Sequence, residues 1–183
     1  MSEAHRRKKQ PQVVRSQLLE VAARLCVENG LHALTLDAVA RAAGVSKGGL
    51  LHHFPTKRDL LDALQHELLR NFEARLEELM AQDADPHGRF TRAYLLANLD
   101  NVAERWNSLA VLLLAEATMR ERWGVWISDR LSALGPEENT VAMQIVRAAA
   151  DGVWLADVTD VGASSEHDRE QLIEALLAMT RNR

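Results

Sequence analysis

The chain has 183 residues, of which 47% are hydrophobic and 26% are charged, a balance that suits one or two globular domains. Its longest apolar run, near residues 109–115, is far shorter than the roughly 20 residues that cross a bilayer, so composition argues against a membrane-spanning protein. The single cysteine, Cys26, excludes an internal disulfide and favours a reducing, cytoplasmic location.

The charge of the chain is unevenly distributed. Residues 1–58 hold ten Lys and Arg against four Asp and Glu, a net charge of +6, whereas the remainder carries −10 and the whole chain −4. A basic segment on an acidic body is typical of a protein that binds a polyanion at one end. An accidental charge gradient on an ordinary soluble protein explains the same distribution, so charge alone leaves both interpretations open.

Helical periodicity dominates the chain, and strand-like alternation is nearly absent. Residues 1–11 are polar and basic and end at Pro11, so they are predicted to form a flexible arm. A first helix is predicted over 13–29, with apolar residues at helical spacing and Asn29-Gly30 as a left-handed stop. Cys26 lies in that apolar stripe, which indicates a core residue rather than a nucleophile.

Two short helices joined by a tight turn are predicted next, over 36–43 and 47–53. Thr35 and Ser46 are placed to cap them. Helices that cross so closely need a small residue at the crossing, a residue tolerant of left-handed geometry in the turn, and apolar residues facing inward. The chain supplies these as Ala40 at the crossing, Gly44 in the turn, and Val39, Ala43, Val45 and Leu50 facing inward. Spacing and residue type together indicate a helix-turn-helix.

The second helix of a helix-turn-helix enters the major groove of DNA with its N-terminal residues closest to the base edges. Lys47 can reach guanine acceptors or a phosphate, and Gly48 and Gly49 allow the backbone to approach DNA closely. Lys57, at the start of the following helix, is positioned to bind a phosphate. The alternative interpretation is that this segment is a helical hairpin that packs against the rest of the protein and does not bind DNA.

The rest of the chain is predicted to be a bundle of helices. A long helix over 57–81 begins with a capping box formed by Thr56 and Asp59. After a loop at 83–88, helices are predicted over 89–104, 107–120 and 122–133. Gly135-Pro136 opens a helix that runs to 159, and Ser165 caps a last helix over 166–181.

The stretch LLEVAARLCVENGLHALTLDAVARAAGVSKGGLLHHFPTKRDLLDAL (Leu18–Leu64) resembles the DNA-binding domain of the tetracycline-repressor (TetR) family. The likeness covers about a quarter of the chain and includes the helix-1 stripe, the Gly30 stop, the Gly44-Val45-Ser46 turn and Phe54. It implies a bacterial dimeric regulator, usually a repressor, that leaves its pseudo-palindromic DNA operator when a small molecule binds the C-terminal body. By the family pattern, the DNA contacts fall on Thr35, Ser46, Lys47, Gly48, Gly49, His52, His53 and Lys57.

One position departs from the family pattern. Many members have Thr-Leu-Tyr where this chain has Gly49-Leu50-Leu51, and that tyrosine commonly touches the DNA backbone. The Leu51 side chain cannot form a hydrogen bond, so it either meets a thymine methyl or only packs.

Together these patterns predict an all-α protein in three parts. They are a flexible basic arm (1–11), a three-helix DNA-binding domain with the helix-turn-helix (12–57), and a helical ligand-binding and dimerisation domain (58–183). The expected partners are double-stranded operator DNA, a small-molecule effector and a second copy of the chain, without a membrane, a cofactor or a metal.

The predicted helix that ends at 159 presents apolar or mixed residues on two opposed faces, which indicates that it is sandwiched between neighbours. Its small-residue face suits close packing with the last helix, either in a two-fold four-helix interface or in the monomer's own core. The resemblance favours the dimer. The predicted interface residues are Ile145, Ala148, Gly152, Ala156, Leu172 and Leu176.

The opposite face of the same helix is a candidate wall of a ligand pocket. Pockets are largely apolar with a few polar anchors, and Arg147 and Asp157 can supply such anchors. An ordinary core, with Arg147 paired to Asp151 one turn later, explains the same pattern. The candidate ligand-binding residues are Trp106, Met119, Trp123, Trp126, Met143, Arg147, Trp154 and Asp157.

The sequence offers no pattern typical of an enzyme or a metal site. His52 and His53 are neighbours on a helix, pointing about 100° apart, and cannot easily share one ion. Asp62 and His66 lie four residues apart, but two ligands make no site without a third. The alternatives to a regulator are a helical protein–protein adaptor and a small-molecule enzyme; only a regulator predicts an affinity for DNA that weakens as salt rises.

Overall fold

The computed structural model describes residues 3–99, 104–162 and 165–181, and within these ranges it contains helices and no strand. This confirms the all-α prediction. None of the helices in the described ranges has the length and apolar character that a membrane crossing requires. Nine α-helices are formed there: α1 (Glu3–Asn29), α2 (Leu36–Ala43), α3 (Lys47–His53), α4 (Lys57–Gln82), α5 (Arg89–Asn98), α6 (Glu104–Leu114), α7 (Ala117–Ala133), α8 (Val141–Thr159) and α9 (Glu166–Met179).

The first helix is longer than predicted, because α1 begins at Glu3 and contains Pro11. The predicted flexible arm over 1–11 is therefore corrected to helix from residue 3 onward. Proline fixes a φ that a helix accepts, although inside a helix it removes one backbone hydrogen bond and its ring crowds the carbonyl one turn earlier. The residues before Pro11 include Ala, Arg, Lys and Gln, which are good helix formers, so a helical segment on its N-terminal side is compatible with the sequence.

Two predicted helices are divided in the structure. The helix predicted over 107–120 is interrupted at Ala115 and Glu116, between α6 and α7. The helix predicted from Pro136 to 159 begins as a 3₁₀ turn over Pro136–Asn139; Thr140 then adopts an extended conformation and caps α8, its Oγ1 accepting from the Met143 amide at 3.3 Å. A threonine that leaves the helical conformation gives up a backbone hydrogen bond, and its side chain instead caps the next helix. The spacing of apolar residues does not show which of the two conformations the threonine adopts. The predicted end of the 89–104 helix falls partly on 100–103, outside the described residues.

The chain divides into two compact units, the first formed by the residues up to 68 together with 105–116. In it α1 packs against α2, and α2 against α3. The unit extends beyond the boundary predicted at residue 57, since it includes the first three turns of α4 with the fully buried Leu60 and Leu64. Its Cys26 side chain is also fully buried, and burial raises the pKa of that thiol to about 11.

The second unit comprises residues 69–104 and 117–183. Its central packing is between α5 and α8, and α9 also packs against α8. The helix predicted to be sandwiched therefore has two helical neighbours. The buried core is largely aromatic and aliphatic and comprises Leu76, Phe90, Ala93, Tyr94, Leu95, Ala97, Val146, Ala150 and Leu176.

A buried carboxylate holds the start of α5. The N-cap of this helix is Gly88, which has no side chain to cap it. Glu138, only 3% exposed, takes that role from far along the chain: its carboxylate accepts from the amides of Phe90 (2.9 Å) and Thr91 (3.2 Å) and from Thr91 Oγ1 (2.8 Å). The buried Arg147 completes the network by donating to Thr91 Oγ1 and to the Glu138 carbonyl, both at 2.8 Å.

An arginine fixes the loop between α4 and α5. Arg92 is 4% exposed, and its Nε donates to Asp83 Oδ2 at 2.6 Å. Its other nitrogens donate to the carbonyls of His87 (2.7 Å) and Asp85 (2.8 Å). The guanidinium therefore provides donors to two carbonyls of the loop, which lie outside any helix.

The ion pair between Asp83 and Arg92 predicts a loss of stability in acid. Partial burial raises the pKa of Asp83, but the hydrogen bonds from Arg92 and the Asp85 amide outweigh it and leave the pKa below its usual value. A lowered carboxylate pKa contributes stability above its unfolded value, near pH 4, which is lost as pH falls through the folded value. We expect Asp83→Asn to lower the free energy of unfolding by about 2 kcal/mol at pH 7, and by much less below pH 3.

Urea unfolding of both proteins at pH 7 and below pH 3 measures this difference. Asp85→Asn is the matched control, because an amide oxygen can still accept from the His87 amide as the Asp85 carboxylate does. An equal loss for Asp83→Asn at both pH values would contradict the ionic role of Asp83.

Candidate nucleic-acid interface

Local capping fixes the geometry of α2, the turn and α3. Thr35 Oγ1 accepts from the Ala38 amide at 3.1 Å, and Ser46 Oγ accepts from the Gly49 amide at 3.1 Å, so both predicted caps are confirmed. Between the helices, Gly44 has a φ of 67°, the left-handed conformation for which glycine was predicted. The Val45 amide then donates to the Ala40 carbonyl at 3.0 Å, which closes the turn.

The inner faces of the two helices are buried as predicted: Val39, Ala40, Ala43 and Leu50 are each at most 9% exposed, and Val45 is half-buried. Phe54, immediately after α3, is 2% exposed and lies beneath the guanidinium of Arg15 on α1, 5.3 Å from its ring centroid. This cation–π contact was not predicted, because only a hydrophobic position could be read from the sequence. It anchors the end of α3 to α1.

The outer face of α3 brings together most of the residues predicted to contact DNA. The exposed members are Thr35, Ser46, Lys47, Gly48, Gly49, His52 and Lys57, and the half-buried ones are His53 and Leu51. Gly48 and Gly49 lie within α3 and have no positive φ, so the backbone does not require glycine at either position. A Cβ added at Gly48 would meet no atom of the described residues within 4 Å. The first turn of α3 therefore presents bare backbone to its surroundings.

The two lysines of this face have partners within the chain. Lys47 Nζ lies 3.0 Å from Asp37 Oδ1, a pair that sequence reasoning missed and in which both side chains are about 60% exposed. An ion pair this exposed contributes little stability, so Lys47 can exchange Asp37 for a phosphate at small cost. Lys57 Nζ donates to the Leu31 carbonyl at 3.3 Å. Beside it, the predicted capping box is confirmed, with Asp59 Oδ2 accepting from the Thr56 amide at 2.9 Å and Thr56 Oγ1 accepting from the Asp59 amide at 3.1 Å.

His52 and His53 form an edge-to-face pair with centroids 5.5 Å apart. Burial lowers the pKa of His53, and the neighbouring charges of His52 and Arg15 lower it further. A lowered pKa favours the neutral ring at pH 7, in which one ring nitrogen donates a hydrogen bond and the other accepts one.

The second unit contains a cluster of four aromatic side chains on three helices: Phe72 of α4, Tyr94 of α5, and Trp123 and Trp126 of α7. Centroid distances are 5.7 Å from Phe72 to Tyr94, 5.3 Å from Phe72 to Trp123, 5.8 Å from Phe72 to Trp126, and 5.1 Å between the tryptophans. Tyr94 is buried and the other three are half-buried. Trp123 and Trp126 were predicted to bind ligand, whereas Phe72 and Tyr94 were not among the predicted ligand residues. We call these four residues the aromatic cluster.

The other predicted ligand residues are more scattered. Met119 and Met143 are each 1% exposed, and Arg147 is held by Thr91 and Glu138 in the buried network. Trp106 and Trp154 are half-buried. In the described ranges, the ring contacts of the aromatic cluster include neither of them.

Asp157 differs from its predicted role as a pocket anchor. Its carboxylate accepts from Arg169 of α9 at 2.5 Å, which ties α8 to α9. Both residues line an open groove of about 360 Å³ between these helices, together with Gly152, Ala156 and Leu172. Asp157 thus lies among the residues predicted for the dimer interface, because it follows Ala156 directly and α9 supplies its partner.

Most of the predicted dimer residues lie on exposed parts of α8 and α9. Ile145 is 49% exposed and Leu172 40%, Ala148 and Gly152 are exposed, and Ala156 is half-buried. Leu176 is different: it is 4% exposed and belongs to the core of its own unit, so its side chain is already covered. Leu172, one turn earlier on α9, keeps 40% of its surface exposed. The place of Leu176 in a dimer interface stays a prediction, while its side chain packs in the core of its own unit.

Among the described residues, no group of three or more His, Cys, Asp or Glu side chains is arranged to hold a metal ion. His52 and His53 are paired through their ring edges. His66 Nδ1 lies 2.7 Å from the Asp62 carbonyl, a local contact within α4.

Two family descriptions match this chain. Residues 18–64 match "Bacterial regulatory proteins, tetR family" and residues 88–181 match "Tetracyclin repressor-like, C-terminal domain". The first covers the helix-turn-helix, and the second extends from the start of α5 to the end of α9. Together they leave few described residues outside a match.

Individual relatives agree with these matches. The chain is 26% identical over 160 residues to the HTH-type transcriptional regulator BetI of Vibrio campbellii, covering 79% of this chain and 80% of that one. It is 37% identical over 71 residues to the HTH-type transcriptional repressor KstR2 of Rhodococcus jostii, covering 39% and 35%. The crystal structure of the multidrug binding protein EbrR complexed with malachite green has the same fold, with a TM-score of 0.68 and 22% identity over 92% of this chain and 98% of that one.

Proposed function

The chain belongs to the TetR family of bacterial regulatory proteins, and we propose that it is a repressor that binds a pseudo-palindromic DNA operator as a homodimer and is released by a small-molecule effector. Its place in the family makes it a transcriptional regulator. The operator, the dimer and the effector are the proposed part, and each is supported by a different region of the chain.

The proposal that the chain binds DNA rests on the outer face of α3. Lys47, Gly48, Gly49 and His52 are all exposed on it, with Thr35 and Lys57 exposed at its borders. Residues 1–58 carry a net charge of +6, so this part of the chain attracts a polyanion, while the remainder, at −10, repels one. We infer that the first turn of α3 approaches base edges and that Lys47 and Lys57 hold phosphates.

The exposed face of α8 supports the dimer. Ile145, Ala148 and Gly152 lie along it at helical spacing, and the groove beside Leu172 continues it onto α9. Small residues let two copies of a helix approach closely around a two-fold axis. A two-fold dimer presents two α3 helices, which bind successive half-sites when they lie about 34 Å apart, one turn of DNA.

Removing the charge of Lys47 tests the proposal for DNA. We expect Lys47→Ala to bind a duplex selected by the wild-type chain from a random-sequence pool about tenfold more weakly, with the slope of log affinity against log salt reduced by about one. The fold should be unaffected, since the side chain is 62% exposed. Fluorescence anisotropy across a salt series measures both quantities.

Arg181→Ala is the matched control, because it removes an exposed positive charge from the second unit. Its affinity and salt slope should equal those of the wild type. A wild-type chain that selects no duplex, or whose affinity for DNA does not change with salt, would favour a protein–protein adaptor instead.

A further inference from the structure

We infer that the effector is a planar aromatic molecule carrying an oxygen hydrogen-bond acceptor, and that it binds at the aromatic cluster, where it accepts from the indole N–H of Trp126. The inference rests on the proposed function and names the chemical class of its effector. It is carried by the packing of the four rings and by two buried donors beside them.

The rings offer a surface on which a flat ligand can stack. Phe72 meets Tyr94 at 86° and Trp126 at 70°, while the two indoles are inclined by only 33°. The inclined indole pair is close to an offset stack, a geometry that a further planar ring can extend. Phe72, Trp123 and Trp126 are half-buried, so parts of their surfaces remain uncovered by the described residues. Aromatic walls of this kind are typical of pockets for small molecules.

Two donors beside these rings have no acceptor among the residues that the structure describes. They are the buried Trp126 Nε1 and Arg130 Nε atoms. Trp126 and Arg130 lie four residues apart on α7 and therefore on the same face of that helix. A buried donor without an acceptor is unfavourable and rare in folded proteins, so its presence calls for an explanation. An acceptor supplied from outside the chain is such an explanation.

The neighbouring carboxylates are already engaged. The other end of the Arg130 guanidinium pairs with Glu73, at 3.3 Å, and with Glu77, both on α4. On the far side of the cluster, the Tyr94 hydroxyl donates to Asp151 Oδ1 at 2.6 Å, and burial beside that carboxylate raises the pKa of Tyr94. Tyr94 therefore stays protonated with its proton directed to Asp151. The buried side-chain atoms of α7 that lack a partner among the described residues, Trp126 Nε1 and Arg130 Nε, are both donors.

The chemical class of the ligand follows from these donors. Indole and guanidinium nitrogens can only donate, so a ligand ammonium group would leave them unsatisfied, whereas a carbonyl, carboxylate or phenolate oxygen satisfies them. Because the rings around Trp126 are apolar, the part of the ligand that carries this oxygen is expected to be aromatic. Because Trp126 Nε1 is buried, the ligand reaches it only when neighbouring side chains move.

Three naphthalene derivatives of similar size test this class on the full-length chain by titration calorimetry. 2-Acetylnaphthalene carries the acceptor, 2-isopropylnaphthalene replaces it with an apolar group of similar shape, and 2-naphthylmethylammonium carries a donor and a positive charge. We expect the acetyl compound to bind wild type about five- to tenfold more tightly than the isopropyl compound, the effect of one hydrogen bond. In Trp126→Phe, which keeps a ring but removes the donor, the two should bind within twofold of each other.

Trp154→Phe is the matched control and should keep the wild-type preference for the acetyl compound. Equal binding of the acetyl and isopropyl compounds to wild type, tighter binding of the ammonium compound, or no binding of any of them overturns the proposal; so does a preference that survives in Trp126→Phe. Affinity of the apo chain for the selected duplex is measured separately. A chain that binds DNA but none of these compounds refutes the effector class alone, whereas a chain that binds no DNA refutes the proposed function.

Discussion

Replacing Glu138 by alanine is expected to lower the free energy of unfolding by about 4 kcal/mol, roughly twice the loss expected for Asp83→Asn. The carboxylate accepts three hydrogen bonds at the start of α5. Its removal leaves two backbone amides and the Thr91 hydroxyl buried without an acceptor. It also leaves the positive charge of Arg147 in the interior without its neighbouring carboxylate, although the Glu138 carbonyl still accepts from it.

Chemical unfolding monitored by circular dichroism measures this loss, with Glu137→Ala as the control. Glu137 precedes Glu138 in the same 3₁₀ turn but is exposed, so its replacement should change the unfolding free energy by at most about 0.5 kcal/mol. Similar small losses for both variants would show that the α5 network is not a major source of stability.

Gly48→Ala, which adds a methyl group to α3, is expected to raise the stability of the chain and to weaken its binding to DNA. Glycine in a helix costs about 0.5–1 kcal/mol relative to alanine, and the added Cβ at this position meets no atom of the described residues. The fold therefore gains stability from Gly48→Ala. If α3 lies against DNA at this turn, the same methyl separates the two surfaces, and overpacking of about 1–3 kcal/mol corresponds to an affinity weaker by about fivefold to 150-fold.

Gly124 provides a matched control for this substitution. It lies within α7, it is exposed, and an added Cβ there also meets nothing in the described ranges within 4 Å. Gly124→Ala should raise stability by a similar amount without changing the affinity for the selected duplex. Thermal unfolding and anisotropy titrations separate the two effects, and unchanged DNA binding by Gly48→Ala would mean that α3 does not approach DNA through its first turn.

The helix-turn-helix could be predicted closely from sequence because its determinants are local. Thr35, Gly44 and Ser46 act on amides and dihedral angles within four residues of themselves, and the structure forms α2 and α3 over the predicted residues. The predicted outer face could be assigned for the same reason, since seven residues of helix leave little freedom in which side chains point outward.

The features that sequence reasoning missed depend on distant partners or on a choice between two local conformations. Glu138 caps a helix 47 and 48 residues earlier in the chain, and no spacing rule connects the two positions. Phe72 and Tyr94 join the tryptophans only through the packing of α4, α5 and α7. Thr140 is compatible with helix and cap alike, and tertiary packing decides between them.

The sequestered thiol described in the first unit gives the molecule a practical advantage. Cys26 is the only cysteine, and a side chain that is inaccessible and, with a pKa near 11, fully protonated does not react with maleimides or oxidants at neutral pH. A cysteine placed at the exposed Glu28, on the last turn of α1, would thus be the sole attachment point for a spin label. The distance between two such labels in the proposed dimer, measured with and without a bound compound, would report how far apart the two DNA-binding domains lie. The natural thiol would add no background signal.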